Sequence, residues 1–188
     1  MSLIPPSHHR HETIDCMASE IPRLLAIQIA PDKGLPMEAI PVARIIEQGI
    51  EGDRYAAGKG AFSKSPPPRN VDRHISLIEH EAIEYCRIQE KLDVTFADTR
   101  RNLLTIGIRL NELVGRRFRI GPVLVEGVEL CDPCGRPGSL SGKEDLRKRF
   151  KEVFEGRGGL RVRVIETGEI RENDPIVVCQ ECLTDALP

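Results

Sequence analysis

Two cysteines stand three residues apart in a segment suited to presenting a thiol. Residues 131–138 read CDPCGRPG, which is too rich in Pro and Gly for regular secondary structure. Pro133 restricts the backbone just before Cys134, and Arg136 places a positive charge two residues from a thiol whose thiolate is the nucleophilic and metal-binding form. We predict a rigid loop that exposes Cys134 for chemistry. A strand-ending turn that happens to hold two cysteines is the alternative that the spacing leaves open.

A second cluster could bind an anion. Arg100, Arg101 and Asn102 stand just before an apolar segment that is typical of a strand. Adjacent guanidinium groups suit bidentate binding of phosphate or carboxylate, and an amide adds a further donor. An ordinary solvated basic turn is the alternative.

A third segment combines glycines with a charged pair. Residues 49–54 read GIEGDR, in which Gly52 precedes Asp53 and Arg54. Glycine permits close approach of the backbone to a ligand, but the spacing is not that of a phosphate-binding loop or a dinucleotide fingerprint. By itself this segment predicts only a turn.

A second Cys-x-x-Cys pair lies near the end of the sequence, at Cys179 and Cys182. Together with Cys131 and Cys134 it could complete a tetrahedral zinc site. The two pairs are much farther apart than in compact ribbon-type zinc sites, which argues against this assignment.

These residues must be positioned by a strand-rich chain. Apolar patterns predict strands over residues 24–30, 42–46, 74–78, 103–108, 117–120, 123–130, 160–165 and 175–179, and a helix over 79–92. A capping box at 141–144 predicts the start of a second helix. Residues 55–70 are rich in Gly and Pro and predict a long surface loop that could close over a ligand.

The predicted fold is therefore mainly β with flanking helices (α+β), with the strands forming a barrel-like closed sheet. We expect a flexible lead-in over residues 1–22, a single domain over 23–180 and a tail over 181–188. Cys86 lies on the apolar stripe of the first predicted helix and is expected to pack in the core.

Composition narrows the functional classes. The chain has 188 residues, 27 basic against 29 acidic, and a formal net charge of −2, which disfavours binding to nucleic acid or to an anionic membrane. We find no export signal and no apolar run near the roughly 20 residues that span a bilayer. We therefore expect a cytoplasmic protein with reduced thiols, whose cysteines act as ligands or nucleophiles.

Taken in order, the fragments resemble the MOSC domain, named for the C-terminal domain of molybdenum-cofactor sulfurases. The resemblance extends from about residue 24 to 178. It is carried by residues 49–54 (GIEGDR), 75–79 (ISLIE), 100–103 (RRNL), Gly107, 113–115 (LVG), 118–121 (FRIG), 133–134 (PC), 159–160 (GL), Gly168, Asp174 and Val177.

The resemblance implies a barrel-like fold and a function built on one cysteine. Cys134 matches the signature cysteine, which is proposed to carry sulfur as a persulfide or to ligate molybdenum in the molybdopterin cofactor. Arg100 and Asn102 match an Arg-x-Asn segment that helps hold the cofactor in the mitochondrial amidoxime-reducing component. The segment with Gly52 and Asp53 matches another family stretch and is expected to line the pocket.

We expect Arg101 and Arg136 to bind the cofactor as well, since its phosphate requires cationic donors. The first hypothesis is a molybdenum-dependent reductase of N-hydroxylated compounds or N-oxides, with a small-molecule substrate and a separate electron-transfer protein. The second is a sulfur carrier or cofactor-handling protein that takes sulfur from a donor onto Cys134. The third is a structural zinc domain. None of them depends on pyridoxal phosphate.

Overall fold

The computed structural model describes residues 21–61, 63–67 and 72–179. Its strands are β1 (Arg23–Ile29), β2 (Glu38–Ile40), β3 (Val42–Ile46), β4 (Gly49–Ile50), β5 (Ile75–Glu79), β6 (Leu103–Ile106), β7 (Arg117–Ile120), β8 (Val123–Leu130), β9 (Leu160–Glu166), β10 (Gly168–Arg171) and β11 (Ile176–Val178). Its helices are α1 (His80–Ile88), α2 (Phe96–Thr99), α3 (Gly135–Leu140) and α4 (Glu144–Val153), with a 3-10 turn at Leu110–Leu113.

Eight strands form one sheet in the order β11-β7-β8-β9-β5-β6-β1-β2, and β10-β3-β4 form a second. The pairings are antiparallel except for β5 with β6, which are parallel and are connected through α1 and α2. A parallel pair requires such a crossover connection, because its strands start at the same end of the sheet.

Two apolar cores lie on opposite faces of the large sheet. Leu77 of β5 belongs to the larger core, which also includes Phe118 and Leu160. Its neighbour Ile78 belongs to a smaller core with α1 and α4, where the rings of Phe150 and Phe154 stack. Successive side chains of a strand point to opposite faces, and residues 75–78 of β5 are all buried because both faces of the strand are covered.

The expected closed barrel is wrong. The large sheet curls until the start of β1 contacts the start of β11, where Leu24 N–H donates to Asp174 O and Ile176 N–H to Pro22 O. The two strands form no continuous ladder, however, and the described sheet ends at β11 and β2. The reason is that β1 pairs with β2 over Ile27–Ile29, which leaves only its first residues to meet β11.

The predicted strands β7 and β8 have the bounds expected from their patterns. The interpretation of residues 131–138 as wholly irregular is wrong, because Gly135–Leu140 forms helix α3. Pro137 stands in the first turn, where its missing N–H costs nothing. Gly138 packs so closely on α4 that an added Cβ would lie 2.6 Å from Leu146 O.

The predicted capping box at residues 141–144 is also wrong. Helix α4 begins after Lys143, and no side chain caps it. Instead, Ser141 Oγ accepts a hydrogen bond from Lys143 N–H in the turn before the helix. A capping box occurs in α2, where Thr95 and Asp98 bond reciprocally.

Candidate functional site

An open pocket lies where the N-terminus of α3 faces β9 and the loop after β1. Cys134, Tyr55, Ala61 and Pro137 line it. Its other lining residues are all cationic: Lys33, Arg54, Arg100, Arg101, Arg136 and Arg161. None of the described residues that line this Cys134 pocket is acidic. Just outside the lining, Asp53 pairs with Arg54 and Glu129 lies 3.9 Å from Arg161, so the lining keeps an excess of positive charge in a chain whose formal net charge is −2.

Cys134 stands at the N-terminal boundary of α3 and is exposed. The chain reaches it from β8 through Cys131, which is buried and whose N–H donates to Gly159 O at 2.7 Å. The tight contact of Gly138 with α4 holds α3 from the other side. The thiol is thus presented to solvent, as the sequence predicted, at the end of the short irregular segment 131–134 that leads into α3.

Arg100 and Arg101 line the pocket from the end of α2. Arg100 has a left-handed backbone with φ of 57°, which turns the chain between α2 and β6. The guanidinium of Arg100 donates to Leu35 O at 2.8 Å, and Arg101 Nε–H donates to Gly158 O at 2.8 Å. Backbone carbonyls therefore orient both side chains without neutralising their charge.

Clustering of like charges affects Arg100 in particular. Burial lowers the pKa of Arg100 from its ordinary value, and the positive charges of Arg54 and Arg136 lower it further. A guanidinium still remains charged at physiological pH. A bound anion would relieve this repulsion.

Asp53 and Asn102 form a buried network beneath the pocket, and both are fully buried. Asp53 Oδ2 accepts from Ala30 N–H at 3.1 Å, Arg54 Nη1 at 3.0 Å and Asn102 Nδ2 at 3.1 Å, and Oδ1 accepts from Tyr55 N–H at 3.0 Å. The carboxylate thereby orients Arg54 and Tyr55, which do line the pocket.

Asn102 is engaged on both sides of its amide. Its Oδ1 accepts from Ser76 Oγ at 2.9 Å, and Nδ2 also donates to Gln28 O at 3.3 Å. Gly52 has φ of 84° and makes the turn that directs Asp53 inward. Gly52, Asp53 and Asn102 do not line the Cys134 pocket, and their predicted roles in cofactor binding stay predictions.

Sequence reasoning did not select Lys33, Tyr55 or Arg161 as site residues. Arg161 lies on β9, where alternating apolar and basic residues predict a half-buried strand. The pattern does not predict which residues its basic face contacts. Arg161 Nη1 lies 3.4 Å from Tyr55 Oη, and the Tyr55 ring centroid is 5.0 Å from the Arg54 guanidinium and 5.8 Å from that of Arg161. Both guanidinium groups thus make cation–π contacts with the same ring.

Comparison with known protein families and structures identifies the family of this chain. The family model of the MOSC domain matches residues 52–177, about two thirds of the chain. The chain belongs to the MOSC domain family. Cys134, Arg100, Arg101, Arg136 and Arg161 lie within the matched residues, whereas Lys33 lies before them. Comparison with curated proteins gives no match.

Solved structures show the same fold. The YuaD protein from Bacillus subtilis superposes with a TM-score of 0.71 at 19% identity, over 84% of this chain and 96% of that one. YiiM from Geobacillus stearothermophilus gives 0.62 at 16% identity, over 87% and 77%, and YiiM from Escherichia coli gives 0.56 at 20% identity, over 85% and 70%. At these identities the likeness supports the fold alone.

Of the other described cysteines of the MOSC protein, Cys86, Cys131 and Cys179 do not line the pocket. Cys86 is buried in the smaller core, as predicted, and burial raises its pKa to about 11. Cys179 is half-buried, while Cys16 and Cys182 lie outside the described residues, so the four-cysteine zinc site stays a prediction. Within residues 21–61, 63–67 and 72–179 no three metal-ligating side chains cluster.

Two further expectations concern the loop over residues 55–70 and the absence of a membrane-spanning segment. The proposed lid over residues 55–70 includes positions 62 and 68–70, which lie outside the described residues, and closure stays a prediction. In the described part of the chain, every helix is too short or too polar to cross a bilayer.

Proposed function

We propose that this MOSC protein binds the molybdenum cofactor in the Cys134 pocket and reduces N-hydroxylated compounds or N-oxides. The observation that supports the proposal is an exposed thiol among six cationic side chains, with no acidic residue in the described lining. A thiolate is a soft metal ligand, and guanidinium groups bind phosphate bidentately. The cofactor carries both a metal and a phosphate.

The donor set of the pocket fits this cofactor. Cys134 would hold the metal, and Arg100, Arg101 and Arg136 would bind the phosphate. When bound, the cofactor supplies two-electron oxygen-transfer chemistry. The chain itself supplies orientation, because its own carbonyls and the Asp53 carboxylate already hold several of the cations. Preorganised cations lose little conformational entropy when an anion binds.

Metal analysis tests the binding step. Protein purified from a host that makes the cofactor should contain stoichiometric molybdenum and pterin, measured by inorganic mass spectrometry and pterin fluorescence. Cys134→Ser should lose the molybdenum, whereas Cys179→Ser should keep it because Cys179 lies outside the pocket lining. Molybdenum-free wild-type protein, or full occupancy in Cys134→Ser, would contradict the proposal.

The reaction requires its own assay. With a chemical reductant replacing the electron-transfer partner, loaded protein should convert an aromatic amidoxime to the amidine, and Cys134→Ser should not. Loaded protein that leaves both amidoximes and N-oxides unchanged would limit the function to cofactor binding.

A second candidate is a sulfur carrier, favoured by the different exposure of the two cysteines: Cys134 is open to solvent and Cys131 is buried. The Cys134 thiolate would attack the terminal sulfur of a donor persulfide, forming a new S–S bond and releasing the donor as its thiolate. Intact mass spectrometry should then show an adduct of about 32 Da, one sulfur atom, that is absent in Cys134→Ser. No adduct after incubation with a persulfide donor would exclude this candidate.

A further inference from the structure

We propose that the Cys134 pocket and an adjacent cationic shelf together bind one small molecule that carries two separated anionic groups. The shelf is a second pocket whose charged lining residues are Asp32, Lys33, Lys59, Lys64 and Arg136. This inference rests on the proposed function only in taking the Cys134 pocket as an anion site. The ligand class is a molecule with two phosphate or carboxylate groups.

The charge of the shelf is largely uncompensated. Among the described residues that line it, the only acidic one is Asp32, whose Oδ2 lies 3.6 Å from Lys59 Nζ in an exposed pair. In the parts of the chain that are described, no carboxylate forms an ion pair with Lys33, Lys64 or Arg136, and all three are exposed. Three positive charges therefore remain available to an anion.

The two pockets are contiguous. Lys33, Ala61 and Arg136 line both of them. Only these shared side chains separate an anion on the shelf from an anion beside Cys134. A small molecule can span that separation. Joining two anions in one molecule makes the second contact intramolecular and raises the affinity well above that of either group alone.

The shelf is also tied to the Cys134 pocket by an aromatic contact. A Cβ at Gly60 would overlap the ring of Tyr55, so the shelf backbone lies directly against that ring. The same ring lines the Cys134 pocket and contacts the guanidinium groups of Arg54 and Arg161. This contact holds the two anion subsites at a set separation, as a bridging ligand requires.

Comparing triphosphate with inorganic phosphate tests whether one ligand spans both pockets. We expect isothermal titration of cofactor-free protein to show one triphosphate per chain, bound at least about tenfold more tightly than inorganic phosphate. The double variant Lys59→Gln/Lys64→Gln should lose this advantage, because both residues line only the shelf. Arg87→Gln removes the same kind of charge from α1, outside both pockets, and should keep the advantage. Equal affinities in wild-type protein, or an undiminished advantage in the double variant, would overturn the proposal.

A second measurement separates the two subsites. Iodoacetate alkylates Cys134 as its thiolate displaces iodide, which places a carboxylate in the Cys134 pocket. The alkylated protein should still bind one inorganic phosphate, and alkylated Lys59→Gln/Lys64→Gln should not. The proposed shelf site would be wrong if alkylation of the wild-type protein abolished phosphate binding. It would also be wrong if the alkylated double variant still bound phosphate.

These results are independent of molybdenum. If the protein acquires no molybdenum but shows the triphosphate advantage, the proposed function fails and the shelf stands. If it acquires molybdenum but shows no advantage, the shelf fails and the proposed function stands.

Discussion

Asp53 is a buried carboxylate that accepts hydrogen bonds from four donors. It accepts hydrogen bonds from Ala30 N–H just after β1, from Arg54 in the pocket lining and from Asn102 just before β6. A buried charge is tolerated only when it is paired and hydrogen-bonded. Asp53 therefore acts on the pocket through the residues that it orients.

Replacing Asp53 should destabilise the fold. We expect Asp53→Asn to lower the free energy of unfolding by about 3 kcal/mol, because it leaves the buried Arg54 without its partner. Urea denaturation measures this effect. Asp32→Asn removes a carboxylate from an exposed pair and should change stability by less than about 0.5 kcal/mol. Equal effects of the two substitutions would contradict this account of Asp53.

The cysteines should differ sharply in reactivity. At pH 8, iodoacetamide should alkylate Cys134 in the folded protein and leave Cys86 unmodified, because Cys86 is fully buried and its pKa of about 11 keeps the thiol protonated. Peptide mass spectrometry locates the label. Urea should expose Cys86 to the reagent, and labelling of Cys86 in the native state would contradict its place in the core.

At the scale of elements, α3 supports the candidate site although its sequence argues against a helix. Its residues GRPGSL include two glycines and a proline, which disfavour helix. The helix forms because Pro137 stands in its first turn and Gly138 allows close packing on α4. Packing thus outweighs propensity at the element that presents Cys134.

Two glycines of α3 provide a matched test. We expect Gly138→Ala to lower the free energy of unfolding by about 1–3 kcal/mol, because the added Cβ forces α3 away from α4. Gly135→Ala places its Cβ in open space and should leave stability unchanged or raise it by up to about 1 kcal/mol. Chemical denaturation of both variants measures the difference, and similar losses would show that α3 packs differently.

At the scale of the whole molecule, the fold separates charge. Basic and acidic residues nearly balance along the chain, yet all the charged described residues lining the Cys134 pocket are cationic. These residues come from positions between 33 and 161. Like charges gathered in this way attract anions and raise their local concentration.

The field of the pocket should govern the reagents that reach Cys134. We expect anionic iodoacetate to react faster, relative to neutral iodoacetamide, than it does with a model thiol. The ratio should fall as ionic strength rises from about 0.01 M to about 1 M, because the Debye length shrinks from about 30 Å to about 3 Å. Arg100→Gln should lower the ratio and Arg87→Gln should not. A ratio independent of salt would contradict a cationic pocket.

Local patterns predicted much of the β structure. The alternating and continuous apolar runs of β7 and β8 predict their bounds because side-chain period and burial are local properties of a strand. The short strands β2, β4 and β10 and the helix α3 were missed, since each depends on a neighbour that the local pattern does not contain. The four-residue helix α2 was missed as well. The prediction of a closed sheet failed for a related reason: β1 pairs with β2, a strand that the sequence pattern did not reveal.

Within the candidate site, residue type and order along the chain were sufficient to select Cys134, Arg100, Arg101 and Arg136, because a thiol in a Pro/Gly segment and adjacent guanidiniums are themselves unusual. They were also sufficient to indicate the MOSC family. Only the tertiary structure placed Lys33 and Arg161 beside them and buried Asp53 and Asn102 beneath them. Which charges share a pocket depends on contacts between segments far apart in the chain, and those contacts exist only once the sheet has paired.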